Sequence, residues 1–240
     1  MVKPKAELTA MTDIERIFQS SSQETKHLPQ NFVNPVLDFP AVKHYPCSAL
    51  VMKSKRKSIQ SKGLFDFLKT LGISTEIAQY YFHEVCVYNK QTQEKLKTLG
   101  FRNEDEGFEL INPFFRGTIG SQAISFIRGT MPKPESIHLF KDSLDFLSFL
   151  SKLGGKKLLA DTIILHATTC LEQINPYICN YGYKHVYSWM SNDQTGQQAK
   201  AYIQNLVSTE EESKHKPMNM LYAPCKDLSK WYQQQLQNKS

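Results

Sequence analysis

The sequence predicts an α/β fold, a mainly parallel sheet flanked by helices and preceded by a small α+β region. Three observations carry that expectation. From Ser136 onward, short apolar strand patterns alternate four times with amphipathic helical patterns, the order that gives a parallel sheet with helical crossovers. Upstream, a helical hairpin is followed by short segments rich in β-branched and aromatic residues. Between them lies "TMPKPES", where Pro132 and Pro134 punctuate a boundary. Residues 1–62 then read as a basic, partly disordered N-terminal arm, 63–130 as the small α+β region, and 131–240 as the α/β domain.

The chain has 240 residues, enough for a sizeable core. Its 29 Lys and Arg against 23 Asp and Glu give a formal charge of +6, which permits a polyanionic partner without requiring one. The five cysteines are scattered and contain no C-x-x-C pair, so neither a zinc site nor a disulfide framework is suggested, and reduced thiols are expected. No stretch approaches the length of a membrane span, and the first residues lack the apolar region of a signal peptide. The expectation is a cytoplasmic protein with no membrane partner.

Taken in order, the arm shows one hint of structure, a short helix in "DIERIF" (Asp13–Phe18), and closes with "KSKRKSIQSK" (Lys53–Lys62). Lys53, Lys55, Arg56 and Lys57 make this the densest positive segment, either a solvated loop or a phosphate-contacting patch. "LFDFLKTL" places Leu64, Phe65, Leu68 and Leu71 at helical spacing, and "STEIAQYYFHEV" follows as a second helix capped by Ser74 or Thr75. "VCVYN", "KTLGFRNE" and "GFELINPFF" read as strands, with "NEDEG" as a hairpin turn, and "AISFIRG" ends at Gly129. The "NPFFRG" loop should expose Arg116 beside Phe114 and Phe115. Tyr80, Tyr81 and Phe82 are a second candidate stacking cluster, although such clusters are commonly core.

Beyond the prolines, "SIHLF", "DTIIL", "KHVYSWM" and "NMLYA" read as strands. "SLDFLSFLSKL", "TTCLEQINPYI" (interrupted near Pro176), "GQQAKAYIQNLV" and "KDLSKWYQQQLQ" read as helices. Polar residues follow three of the strands: Lys141, Asp142 and Asp145; Ser191, Asn192 and Asp193; Lys226 and Asp227. Parallel strands bring such ends to one edge, where a metal–phosphate site can form. His166 ends another strand at the same edge, in a supporting polar role. The G-x-x-x-x-G-K-[ST] phosphate loop is absent.

"LFKDSLDFLSFL", "VYSWMSNDQTGQQAKAYI" and "LYAPCKDLSKW" resemble the three motifs of Toprim domains, particularly those of primase-like proteins on mobile elements of Bacteroidetes. The likeness extends from about Gly63 to Gln237 and includes "GFRNEDEGFELINPFFRGTIG". The resemblance implies a Toprim-type, Rossmann-like domain in which a motif-one glutamate acts as general acid or base. An Asp-x-Asp pair holds Mg²⁺ for phosphoryl or nucleotidyl transfer. In this sequence Asp145, Asp193, Gly196, Lys226 and Asp227 match that pattern. Lys141 stands at the glutamate, Asp142 at the following glycine, and Ser191 at the first aspartate of the pair. These departures leave the site about two charge units more positive than the family pattern, while Mg²⁺ wants anionic oxygen ligands.

The expectation is therefore a catalytically degenerate Toprim protein with no catalytic residue and no required cofactor. Lys141, Lys226, Arg116, Lys53, Lys55, Arg56 and Lys57 are the candidate phosphate or nucleic-acid contacts. Asp145 and Asp193 form a weak or vestigial metal pair, with Asp227 a further ligand. Lys141 either holds a phosphate as a point charge or fills the ion's place through a salt bridge to Asp145 or Asp193. Expected partners are single-stranded DNA and replication or mobilisation proteins. Two alternatives stay open. One is an active Mg²⁺-dependent primase-like nucleotidyl transferase or nuclease whose missing groups come from Asp142, Asp161 or a partner. The other is a protein-interaction module that binds no nucleic acid.

Overall fold

The computed structural model describes residues 14–18, 42–179 and 181–238. Most of the arm expected at 1–62 lies outside them. The rest of that segment is structured: residues 14–18 form a helical turn, and Lys43–Tyr45 (β1) and Leu50–Arg56 (β2) are strands. Of the basic segment Lys53–Lys62, residues 53–56 thus end a strand, and 57–61 form the loop that leads into the first long helix. The apolar signal of β2 is confined to Leu50, Val51 and Met52, and the side chains from Lys53 to Arg56 are exposed at a sheet edge.

Two sheets make up the frame. The first contains β1, β2, Phe82–Asn89 (β3), Glu94–Arg102 (β4), Phe108–Ile111 (β5) and Phe115–Ile119 (β6), in the order β1-β6-β5-β4-β3-β2. Strands β2 to β6 form an antiparallel meander, and β1 joins β6 in parallel. The segment "GFELINPFF" is two strands rather than one, because the Asn112 side chain accepts from the amides of Phe114 and Phe115 and turns the chain. The sheet curls, so that a Cβ added at Gly117 in β6 would lie 2.9 Å from Leu50 Cδ1 in β2. Leu50, Val85, Val87, Phe108, Leu110 and Phe115 fill the inside of that curl.

The second sheet has Ser125–Ile127 (β7), Ser136–Phe140 (β8), Asp161–Ile164 (β9), His185–Trp189 (β10) and Lys214–Pro217 (β11), in the order β11-β10-β8-β9-β7. Four of the strands are parallel and β7 is antiparallel, giving the expected mainly parallel α/β domain. Since β7 already belongs to this sheet, the chain crosses over before the two prolines. Both faces of β8 are buried: Ile137 and Leu139 pack to one side, His138 and Phe140 to the other. "NMLYA" is not the fourth strand but a 3-10 turn at Asn219–Tyr222. The strand is "KHKP", an edge element whose mainly exposed side chains carry no apolar alternation.

Helices Lys62–Thr70 (α1) and Thr75–Tyr81 (α2) form the expected hairpin, with Ser74 as the cap. The second helix stops at Tyr81, and Phe82 begins β3. Ser143–Leu153 (α3), Asn175–Ile178 (α4), Gln194–Val207 (α5) and Leu228–Gln237 (α6) complete the set. The helix expected across "TTCLEQINPYI" is instead a 3-10 stretch, Thr168–Ile174, followed by the single turn of α4. Pro176 has no N–H to donate and tolerates only such a helix start. One core runs through α1, α2, α3, α6, residues 14–18 and the facing sides of both sheets. A second lies under α5 and α4 on the far side of the parallel sheet.

Candidate functional site

The carboxyl ends of β8 and β9 open onto a cleft of about 930 Å³ between the two sheets. Its parallel-sheet wall includes Lys141, Asp142, His166, Lys226 and Asp227, and the opposing wall includes His44, Glu109, Arg116 and Thr118. Residues Glu109 and Thr118 are direct neighbours across β5 and β6, as are Ile111 and Arg116, so all four project from one face.

The turn after β8 explains the "FKDSLD" sequence. The chain leaves the strand at Phe140, and extended Asp142 caps α3 by accepting from the Asp145 amide at 2.9 Å. The two other aspartates do the same work. Asp193 accepts from the Gly196 amide at 3.0 Å and caps α5, and Asp227 accepts from the Lys230 amide at 3.0 Å and caps α6. Three helix N-termini therefore converge on this edge, each closed by its own carboxylate. The place of Asp227 is a correction, since it follows a 3-10 turn and not a strand end, with the chain folding back to the same edge.

Lys141 sits among carboxylates. Its ammonium is 3.2 Å from Asp142 Oδ2, 3.2 Å from Asp227 Oδ2 and 3.6 Å from Asp145 Oδ2. Asp193 is not among its partners: it is 3.0 Å from Lys226 and also accepts from the Ser191 hydroxyl at 2.6 Å. The expected choice between Asp145 and Asp193 resolves to Asp145, joined by Asp142 and Asp227. The extended backbone of Asp142 swings its side chain alongside Lys141 while it caps the helix.

Charge states follow the surroundings. Burial would lower the Lys141 pKa, but the carboxylates of Asp142, Asp145 and Asp227 outweigh it and hold the ammonium charged. Asp145 is fully buried; burial, reinforced by its acidic neighbours, pushes it up to about 8 despite Lys141. One of its oxygens accepts from the Ser229 amide at 2.9 Å, and the other has no hydrogen-bond partner. Asp193 is held well below the usual carboxylate range by the Ser191 hydroxyl, the Gly196 amide and Lys226.

These residues do not fit a divalent ion. The space shared by three of the acidic oxygens is taken by an ammonium, and the fourth acid is engaged by Lys226, Ser191 and a helix amide. Among the described residues no group of three or more His, Cys, Asp or Glu is disposed to hold a metal. Asp161 cannot supply a missing ligand. It begins β9, at the opposite edge of the sheet, and accepts from Arg128, Gly129 and Tyr183.

Arg116 was expected on an exposed loop. It lies in β6 as part of the cleft wall and donates to the Asn112 carbonyl at 2.8 Å; Phe114 alone stays exposed, while Phe115 is buried. The fold brings Arg116, Lys141 and Lys226 to one cleft and leaves Lys53, Lys55, Arg56 and Lys57 outside it. Tyr81 and Phe82 pack inward against Phe146 and Phe101, whereas Tyr80 is half exposed. His166 adopts a left-handed backbone, φ 63°, and its Nε2 lies 2.7 Å from the Ser125 hydroxyl.

Sequence reasoning missed Glu109. Its carboxyl lines the cleft, takes the Thr118 hydroxyl at 2.8 Å on one oxygen and leaves the other without a partner. Burial pushes it up to about 7, against the lowering effect of Thr118. The signal was a lone acid flanked by apolar residues in "GFELI", paired across the strands with Thr118.

The fold is similar to that of a primase fragment. A primase fragment of the bacteriophage T7 primase-helicase protein aligns with a TM-score of 0.51 at 13% identity, over 76% of this chain and 74% of that one. A chain aligns at TM-score 0.48 and 12% identity, over 77% of this chain and 91% of its own. It comes from the T7 lagging-strand DNA polymerase structure with primase domains of two subunits bound to an RNA/DNA hybrid and dTTP. Residues 53–120 match a family described only as a domain of unknown function, DUF8464. No curated protein matches the chain. No helix among the described residues is long and apolar enough to cross a membrane.

Proposed function

We propose that this protein is a primase-like Toprim protein whose motif-one lysine takes the place of a metal ion. On this reading it binds nucleic acid or phosphate in DNA replication or mobilisation without carrying out nucleotidyl transfer. The observation that carries the reading is the Lys141 ammonium within 3.2 to 3.6 Å of three aspartates. A fixed cation neutralises the carboxylates, leaving no anionic cage for Mg²⁺. Arg116 and Lys226 in the same cleft supply the cationic contacts for a phosphate, and the T7 primase fragment supports the replication setting.

Calorimetric titration tests this. The unaltered protein should show no Mg²⁺ or Mn²⁺ binding up to millimolar concentrations, and Lys141→Glu should acquire it. Millimolar or tighter binding by the unaltered chain, abolished by Asp193→Ala, overturns the reading.

One observation favours an active, rearranged enzyme: Glu109, at about 7, has the proton affinity of a general acid or base and faces the cleft. Template-directed primer synthesis that survives Lys141→Glu but is lost in Glu109→Gln would establish that alternative.

A further inference from the structure

The outer face of the first sheet is covered by α1 and α2 at one end, where Phe82, Leu99 and Phe101 join the core. At the other end it is open. Across β3 and β4, Cys86 stands opposite Lys97 and Tyr88 opposite Lys95; across β2 and β3, Arg56 stands opposite Glu84 and Ser54 opposite Cys86. Directly opposed residues share a face, so Arg56, Tyr88, Lys95 and Lys97 project together. The register shift between Met52 and Ser54 adds Lys53, whose ammonium sits 5.3 Å from the centroid of the Tyr88 ring. Neighbouring Lys55 belongs to the other face, over the Phe108 ring.

Four cations on this face meet one acid. Glu84 is buried, and one of its oxygens is already occupied by the amides of Gln60 and Ser61 while the other lies 3.5 Å from Lys97. Arg56 donates to the neutral Gln60 side chain. Lys53 and Lys95 form no ion pair with another described residue, and Glu94 projects to the opposite side from Lys95. Lysines on an edge strand keep sheets from pairing edge to edge, which accounts for Lys53 on β2. It does not account for Lys95 and Lys97, which lie two strands in.

We propose that this open half-face, built on Lys53, Arg56, Tyr88, Lys95 and Lys97, binds single-stranded nucleic acid, with phosphates on the cations and a base stacked at Tyr88. Cations spaced along adjacent strands around an aromatic ring suit a flexible polyanion with flat bases and match no feature of an apolar or cationic partner. The surface is separate from the cleft and shares with the reading above only its ligand class. It stands whether or not Lys141 replaces a metal.

The test is fluorescence anisotropy with a labelled oligothymidylate and the full chain between about 50 and 200 mM salt, a range over which phosphate contacts are lost steeply. Lys53→Gln and Lys95→Gln should each reduce the slope of log affinity against log salt by about 0.7. Tyr88→Ala should weaken binding roughly ten-fold and Tyr88→Phe should restore it. Circular dichroism confirms that these exposed-site variants fold. Three outcomes overturn the proposal: no binding at the lowest salt, equal binding to heparin that ignores Tyr88→Ala, or binding unchanged by the lysine variants but removed by Arg116→Gln with Lys226→Gln. The last places the strand in the cleft.

Discussion

Glu109 and Asp145 are acids whose proton affinity the fold raises, Glu109 because burial lifts it to about 7 and Asp145 because burial and acidic neighbours lift it to about 8. Each has a folded pKa above its unfolded value, so the native state holds the extra proton between about pH 4 and those values. The stability they contribute is complete below the unfolded pKa and is lost as pH rises through the folded one. Glu109→Gln keeps an acceptor for Thr118 and removes the ionisation. Its urea midpoint should therefore change less than that of the unaltered protein between pH 5 and pH 8.5, with a relative gain of roughly 1–2 kcal/mol at the upper end. A midpoint difference that stays constant with pH would contradict the buried, uncharged state. Lys141 was legible as a cation at the end of a buried strand. Its pairing with Asp145 was among the expectations; that with Asp227 was not, because Asp227 lies 86 residues away and reaches it only through tertiary folding.

At the scale of the element, Asp142, Asp193 and Asp227 each act as the cap of a helix. Gly196 has an equally local role. A Cβ there would lie 1.9 Å from the Ser191 carbonyl oxygen, so α5 can start against that turn only with glycine. Gly196→Ala should lower the denaturation midpoint by more than 2 kcal/mol equivalent, whereas Asp193→Ala should cost about 1 kcal/mol for the lost cap. Chemical denaturation of the two variants distinguishes a packing constraint from a capping one. The helices with strong apolar stripes, α3 and α5, were readable from spacing. Strand β11 was not, because an edge strand of Lys, His and Pro owes its extension to pairing with β10 rather than to its own side chains.

Over the whole molecule, the aromatic core ties sequence-distant segments together. Phe18 is fully buried, stacks on Trp231 with ring centroids 4.8 Å apart, and lies 5.5 Å from Trp189 and 5.8 Å from Phe149. The same core reaches Phe82 and Phe101 of the first sheet and Phe140 and Ile164 of the second. Phe18→Ala should cost about 3–5 kcal/mol. Tryptophan fluorescence and far-ultraviolet circular dichroism should still report one shared transition, because both sheets draw on that core. Separated transitions would show that the sheets unfold as independent units.

By itself the sequence determined the α/β class, the helical hairpin, the buried strands of the parallel sheet and the Lys–Asp turn that follows one of them. These are local matters of period, capping and residue type. Only the tertiary structure decided that β1 and β2 belong to a sheet and that Arg116 faces the same cleft as Lys141. It also decided that three aspartates surround one ammonium and that Lys95 and Lys97 share a face with Lys53. The physical reason is common to all of them. Edge pairing, cross-strand register and the desolvation of a charge depend on neighbours distant in the chain, and periodicity records only neighbours that are near.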